Sequence, residues 1–117
     1  MKKILITGAS GFIGSFIVEE ALRRGLEPWA AVRPTSSLRY LQDARVHLLT
    51  LDLQDPARLM DQLRPHRFDY IVHAAGATKC QDPADFFRVN RDGTRHLFQA
   101  VRALAMPVER IAFPSPL

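Results

Sequence analysis

Short apolar runs alternate with longer stretches of mixed polarity along this chain. The runs have the length and the β-branched content of buried strands, and the mixed stretches repeat their apolar residues at helical spacing. This alternation predicts an α/β domain in which helices connect parallel strands. The five predicted strands cover residues 3–7, 27–32, 46–51, 70–73 and 110–113.

Helices are predicted over residues 11–24, 37–41, 56–63 and 83–105. Asp55 and Asp82 each precede a proline, which is typical of a helix start because the carboxylate caps and the proline needs no hydrogen-bond acceptor. Gly25 stands where a helix commonly ends in a left-handed residue. The spacing in the first helix places five apolar residues largely on one face: Phe12, Ile13, Phe16, Ile17 and Leu22.

The composition indicates one folded domain. The chain has 117 residues, and 47% of them are hydrophobic, which is enough for an ordinary buried core. Sixteen lysine and arginine residues exceed twelve acidic residues, but they are spread along the chain. This diffuse charge favours an anionic small ligand over a nucleic acid, which usually needs a concentrated basic face.

The single cysteine, Cys80, excludes an internal disulfide and favours a reducing, cytoplasmic compartment. We expect no membrane association, because no apolar run approaches the length of a membrane span. The four histidines show no spacing typical of metal ligands, so no metal site is predicted. His73 and Trp29 are interpreted as packing residues rather than catalytic or stacking ones.

Three glycines, Gly8, Gly11 and Gly14, follow the first predicted strand and open the first predicted helix. A helix N-terminus carries unpaired N–H groups and a partial positive charge, so it attracts a pyrophosphate. Gly8 permits a tight turn, Gly11 removes a side chain that would contact the phosphates, and Gly14 allows close packing of helix and strand. Because the turn lies between a strand and a helix, it predicts a dinucleotide site rather than a purely structural loop.

The segment TGASGFIG, residues 7–14, resembles a motif of the extended short-chain dehydrogenase/reductases, the family of NAD-dependent epimerases and dehydratases. Three further segments resemble motifs of this family in the same order: LDLQD at 51–55, HAAG at 73–76 and VNRDGT at 89–94. The resemblance covers the whole chain. It implies a Rossmann-type doubly wound parallel sheet of about five strands in the order 3-2-1-4-5, truncated, with residues 1–117 forming the cofactor-binding N-terminal part of a longer enzyme.

The resemblance also implies which residues bind the cofactor. Asp52 and Leu53 would face the adenine, the AAG of the HAAG segment would line the cofactor, and Asn90 would support the active site. The residues assigned to cofactor binding are Gly8, Ser10, Gly11, Phe12, Ile13, Gly14, Arg33, Ser37, Asp52, Leu53, Ala74, Ala75 and Gly76.

The end of the second predicted strand bears on the choice of cofactor. Arg33 stands where NAD-preferring members carry a carboxylate for the ribose hydroxyls. A guanidinium can bind a 2′-phosphate through two charge-assisted hydrogen bonds, and Ser36, Ser37 and Arg39 could complete that site. NADP is therefore favoured. In the alternative, Arg33 only stacks on the adenine and the cofactor is NAD.

Catalysis in the family depends on a tyrosine and a lysine four residues later. The two tyrosines here, Tyr40 and Tyr70, have alanine at that position. Ser115 aligns with the first of two serines in relatives, and Pro116 falls on the second, which is the usual catalytic position. We therefore assign no catalytic residue beyond Ser115 as a candidate, and expect no turnover by the 117-residue chain alone.

The expected function is the dinucleotide-binding portion of an NAD(P)-dependent epimerase, dehydratase or reductase acting on a nucleotide-sugar or small carbonyl substrate. The alternative is a non-catalytic NAD(P)-binding sensor, which the coding sequence downstream of Leu117 would distinguish. In relatives the helix at 83–105 pairs with a later helix, so its apolar residues predict a homo-oligomer through this helix. These residues are Phe86, Phe87, Val89, Leu97, Phe98, Val101 and Leu104.

Overall fold

The computed structural model of the protein describes residues 1–9, 12–32, 43–74 and 83–112, with the backbone alone at 12, 13 and 83–90. Parallel strands need crossover connections, and helices provide three of them in this description. The elements in chain order are β1 (Lys3–Thr7), α1 (Phe12–Arg23), β2 (Glu27–Val32), β3 (His47–Thr50), α2 (Pro56–Leu63), β4 (Tyr70–His73), α3 (Pro83–Ala103) and β5 (Arg110–Ala112).

The five strands form one parallel sheet in the order β3-β2-β1-β4-β5. β1 is central, and its Leu5 is in register with Trp29 on β2 and Ile71 on β4. The predicted fold class and strand order are therefore confirmed. Because all the strands run in the same direction, their carboxyl ends lie along one edge of the sheet, where ligands bind in open α/β folds.

Most predicted boundaries agree with the structure. β1, β2, β4 and α2 have the predicted limits, whereas β3 is one residue shorter at each end than 46–51. The predicted helix at 37–41 and the end of the last strand at 113 lie outside the described residues. Asp55 caps α2 as predicted, since its carboxylate accepts a hydrogen bond from the Arg58 N–H at 3.2 Å.

Side chains alternate across the sheet and form two cores. Leu5, Ala31 and Ile71 point to what we call the α2/α3 face, where they pack with residues of α2 and α3. Ile4 and Ile6 point to the opposite face, the α1 face, where they pack with residues of α1. The alternation along β1 therefore places consecutive side chains in different cores.

The Trp29 ring lies on the α2/α3 face and contacts three other rings. It stacks on His47 with ring centroids 4.5 Å apart, and it meets the edges of His66 and Phe68 at 5.0 and 6.0 Å. Two histidines that looked scattered in the sequence therefore share one aromatic cluster with Trp29. The cluster agrees with the predicted packing role of Trp29.

The buried side of α1 differs from the prediction. Phe16, expected on the apolar face, is 56% exposed. The residues that turn inward are small or medium-sized: Gly14, Ser15, Val18 and Ala21. The reason is that the contact at Gly14 turns that side of α1 toward β1, and Phe16, about 200° further round the helix, then faces away from the sheet.

The end of α1 agrees with the prediction. Gly25 has a φ of 75°, and the Leu26 N–H donates to the Ala21 carbonyl at 2.9 Å. This pair of features is typical of a Schellman C-cap, which needs a left-handed residue.

The third helix is shorter than predicted. α3 ends at Ala103 rather than 105, because Ala105 takes a left-handed φ of 50°. The Met106 N–H donates to the Val101 carbonyl at 3.1 Å, and the Met106 side chain is buried in the α2/α3 core. The chain therefore leaves the helix early so that Met106 can turn inward before Pro107.

The structure also corrects the expected apolar patch on α3. Leu97 and Val101 are buried in the α2/α3 core, and Leu104 packs against it. Phe98 is the one large apolar side chain that is exposed, at 42%, among the α3 side chains that the structure describes. Phe86, Phe87 and Val89 lie outside those side chains. Three of the seven side chains expected at an oligomer interface therefore pack in or against the α2/α3 core.

Candidate functional site

The turn after β1 has the geometry predicted at Gly8 and Gly14. Gly8 has a φ of 67°, a left-handed conformation that favours glycine. A Cβ atom at Gly14 would overlap the Gly8 carbonyl oxygen and lie 2.7 Å from the Ala9 Cα. The first turn of α1 therefore packs directly on the turn, and only glycine fits at position 14. Ser10, Gly11 and the side chains of Phe12 and Ile13 lie outside the described part of the chain.

The end of β4 lies beside this turn. The Ala74 N–H donates to the Thr7 carbonyl oxygen at 3.2 Å, so Ala74 is adjacent to the last residue before Gly8. Two segments that are far apart in sequence, residues 7–9 and 73–74, therefore meet at the carboxyl edge of the sheet. Ala75 and Gly76 lie outside the described residues.

The segment after β3 contributes to the same edge. Leu51 is buried, and its N–H continues the ladder to the Val32 carbonyl at 3.2 Å. The Asp52 N–H donates to Gln62 Oε1 at 2.8 Å, and Asp52 Oδ1 accepts from the Gln54 N–H at 3.1 Å. Asp52 is therefore held in a tight turn anchored to α2.

Leu53 in that segment is fixed by α3. His96 Nδ1 lies 2.5 Å from the Leu53 carbonyl oxygen, and because a carbonyl only accepts, Nδ1 carries the proton. Gly93, one turn earlier on α3, faces the same segment, since a Cβ there would lie 3.4 Å from Leu53 Cβ. The role of His96 was missed in the sequence because nothing local to it indicates that it contacts a segment 43 residues away.

A buried histidine connects β1, β4 and α3. His73 Nδ1 lies 2.7 Å from Thr7 Oγ1, and His73 Nε2 lies 3.0 Å from Thr94 Oγ1. Thr7 and His73 are the last residues of two paired strands and are in register. Burial lowers the pKa of the His73 imidazole below its ordinary value of 6.5, so the ring is neutral at pH 7.

The sequence pointed to part of this arrangement. His73 was interpreted as a packing residue at a strand end, and its hydrogen bonds to two threonines were not anticipated. The strand order and the two strand ends together could have identified Thr7 as its neighbour. Thr94 could not be found in this way, because its position depends on how α3 lies on the sheet.

The side chains of the other predicted site residues lie outside the described part of the chain. Arg33, Ser36, Ser37 and Arg39 follow β2 and lie outside the described residues, as does Ser115. The backbone of Asn90 lies within α3, but its side chain is not part of the description.

The described residues contain neither a cluster of metal ligands nor a helix that could span a membrane. Within residues 1–9, 12–32, 43–74 and 83–112, no three His, Cys, Asp or Glu side chains lie close enough to hold a metal ion. None of the helices in these ranges is long and apolar enough to cross a bilayer.

Known sequences resemble this chain along nearly its full length. The sequence pattern of the NAD dependent epimerase/dehydratase family matches residues 4–115. UDP-glucose 4-epimerase of Mus musculus is 34% identical over 120 residues, which cover 88% of this chain and 35% of the mouse protein. Ceramide reductase of Caulobacter vibrioides is 35% identical over 100 residues, which cover 86% of this chain and 31% of that protein. The chain thus spans roughly a third of the length of these curated relatives.

Solved structures share the fold. The UDP-glucose 4-epimerase of Thermus thermophilus, in complex with NAD, matches with a TM-score of 0.75 and 31% identity over 89% of this chain and 35% of that chain. The crystal structure of gox2253 matches with a TM-score of 0.80 and 32% identity over 97% of this chain and 34% of that chain. Together with the glycine turn and the observed strand order, the family match over residues 4–115 establishes that this chain belongs to the NAD dependent epimerase/dehydratase family.

Proposed function

We propose that residues 1–117 form the dinucleotide-binding part of an NAD(P)-dependent enzyme of this family. The observation that carries the proposal is the packing of α1 on the turn after β1. At Gly14 any side chain would overlap the Gly8 carbonyl, so the N-terminus of α1 comes close to the carboxyl end of β1. The N–H groups at such a helix start can bind a pyrophosphate. The NAD complex of the Thermus relative supports this proposal.

The proposed site has three walls. The first is the glycine turn, where Gly8, Ser10, Gly11, Phe12, Ile13 and Gly14 would hold the pyrophosphate. The second is the end of β4, where Ala74, Ala75 and Gly76 would line the cofactor. The third is the segment after β3, where Asp52 and Leu53 would face the adenine. Gly8, Ala74 and Leu53 all lie at the carboxyl edge of the sheet, which supports this assignment.

The cofactor preference is the finer part of the proposal. Arg33 and Ser37 would bind a 2′-phosphate, which favours NADP, with NAD as the alternative if Arg33 stacks on the adenine. The family's name and the Thermus complex refer to NAD. A direct comparison of the two cofactors is therefore needed.

The substrate of the whole protein is proposed to be a nucleotide-sugar or a small carbonyl compound, as the names of the epimerase and reductase relatives suggest. No catalytic residue is proposed among the described residues. Tyr70 begins β4 and its hydroxyl accepts a hydrogen bond from Lys2 Nζ at 3.2 Å. It therefore lies at the amino end of its strand, away from the proposed cofactor. The cytoplasmic location and the homo-oligomer through α3 stay predictions.

The test is calorimetric titration of the chain with NADPH and with NADH, using wild type and Arg33→Ala. We expect saturable binding of NADPH that is tighter than that of NADH, and a loss of this preference in Arg33→Ala. Arg102→Ala is the matched control, because Arg102 is an exposed arginine in the last turn of α3. An equal loss of the preference for NADPH in Arg33→Ala and Arg102→Ala would assign the effect to overall charge. If wild type binds neither nucleotide, the proposal is wrong.

A further inference from the structure

His73 is a buried titratable side chain for which the proposed function has no role. It is 6% exposed, and Thr7 beside it is 1% exposed. Both ring nitrogens lie within hydrogen-bond distance of a threonine hydroxyl, at 2.7 Å to Thr7 and 3.0 Å to Thr94. A rigid ring held at both nitrogens sets the distance between the two groups that hold it.

The two threonines belong to different parts of the proposed site. Thr7 directly precedes Gly8, and its carbonyl accepts the Ala74 N–H, so it adjoins two walls of the site. Thr94 lies on α3, and its hydrogen bond to His73 joins this helix to the carboxyl ends of β1 and β4.

The same turn of α3 also holds the third wall. His96 donates to the Leu53 carbonyl oxygen, and Gly93 faces the Leu53 side chain. Within residues 93–96, His96 therefore contacts the segment after β3. Thr94 contacts His73 at the end of β4, and His73 in turn contacts Thr7 at the end of β1. Through these hydrogen bonds, one turn of a helix connects all three walls.

The protonation of His73 suits a positioning role. A neutral imidazole has one N–H donor and one acceptor nitrogen, and a hydroxyl can either donate or accept. Thr7, His73 and Thr94 can therefore form a chain of hydrogen bonds with no charge in the core. Phenylalanine in place of His73 would keep the ring but would leave both hydroxyls without these bonds.

We propose that His73 is a positioning residue of the dinucleotide site, which holds the glycine turn and the end of β4 in a set place relative to α3. This inference rests on the proposed dinucleotide binding. It assigns a role to Thr94 as well, since Thr94 is the group through which His73 contacts the helix.

The test measures the Kd for NADPH and NADH by calorimetry, together with the midpoint of thermal unfolding. Thr94→Val removes the hydroxyl and keeps the shape, and Thr94→Ser keeps the hydroxyl. For the nucleotide that wild type binds more tightly, we expect Thr94→Val to raise the Kd by about tenfold, because part of the binding free energy must then order the loosened site. Thr94→Ser should restore the Kd to within about twofold of wild type.

A matched control separates positioning from stability. Ile71→Val removes one methyl group from β4, two residues before His73, on the same face of the sheet and outside the site. We expect it to lower the unfolding midpoint and leave the Kd unchanged. If Thr94→Val behaves like Ile71→Val, the histidine and its threonines are only structural and the inference is wrong.

A double-mutant cycle tests the connection itself. The effects of His73→Phe and Thr94→Val on the Kd should be less than additive, because each removes the same contact. Additive effects would overturn the inference, and if His73→Phe does not fold, the pair of Thr94 variants decides. Absence of binding by wild type would overturn the proposed function and this inference together, whereas normal binding by the Thr94→Val variant would overturn the inference alone.

Discussion

The two faces of the sheet are built from side chains of different size. In the described part of the chain, the α2/α3 core contains eleven buried residues, among them Leu59, Leu63 and Phe68. The α1 core contains six, and three of them are alanines. Large side chains fill the space between the sheet and helices α2 and α3, whereas α1 approaches β1 so closely at Gly14 that no side chain fits there.

This difference suggests that one face mainly stabilises the fold and the other mainly positions the start of α1. The α2/α3 face buries most of the large apolar surface, so it should contribute most of the stability. The α1 face buries less, but the close approach at Gly14 brings the start of α1 to the turn after β1. We infer that the side chains of the α1 face serve mainly to place the start of α1 at the proposed pyrophosphate site. Those of the α2/α3 face serve mainly to stabilise the fold. Three predictions test this comparison.

The largest expected effect is the loss of a core leucine on the α2/α3 face. Leu59 is fully buried, so Leu59→Ala should lower the free energy of unfolding by about 2–5 kcal/mol. Ile17→Ala on α1 should cost less than half as much, because Ile17 is only partly buried. Chemical denaturation measures both. Equal losses of unfolding free energy in the two variants would show that the two faces contribute equally to stability.

The next effect compares two helical glycines. Gly14→Ala should lower the free energy of unfolding by about 1–3 kcal/mol, since the added Cβ meets backbone atoms that cannot move aside. Gly93→Ala is the matched control on α3, where the added Cβ would have nearest neighbours at 3.4 Å. There alanine should gain up to about 1 kcal/mol from its higher helix propensity. A Gly14→Ala variant as stable as wild type would contradict the close approach of α1.

The smallest effect is a dependence of stability on pH that arises from the α2/α3 face. Burial lowers the pKa of His73, and burial and the nearby Lys3 lower the pKa of His66, both below the ordinary 6.5. Below about pH 6.5 the unfolded chain therefore binds more protons than the folded one. The unfolding midpoint should be highest above this pH, fall as the pH drops through about 6.5 and level off below the lowered pKa values.

Variants assign that pH dependence to one face. His66→Gln and His73→Gln should each flatten the decline below about pH 6.5, with the larger change for the more deeply buried His73. Glu20→Gln on α1 is the control. A hydrogen bond from Arg24 lowers the pKa of Glu20 below 4.5, so its contribution is lost only at lower pH. A flattened decline in Glu20→Gln would contradict the assignment.

Features that depend on neighbours in the sequence were predicted well. The limits of β1, β2 and β4, the Asp55 cap of α2 and the left-handed Gly25 all agree with the structure. Each follows from a few adjacent residues, through side-chain alternation, capping or backbone conformation. The strand order came from the family resemblance rather than from these local signals.

Features that depend on contacts between distant segments were not predicted from the sequence. Phe16 fits a helical apolar face by spacing, but the backbone contact at Gly14 decides which side of α1 faces the sheet. Leu97 and Val101 suit an oligomer interface as well as they suit a core, and only the position of α3 over the sheet buries them.

By itself, the sequence determined the class of fold, the positions of most helices and strands and the glycine turn, because these depend on local conformation and spacing. Only the tertiary structure decided that His73 lies between Thr7 and Thr94 and that His96 holds Leu53. Such contacts join residues at least 21 positions apart. Their partners are selected by how the helices pack on the sheet, which no short stretch of sequence encodes.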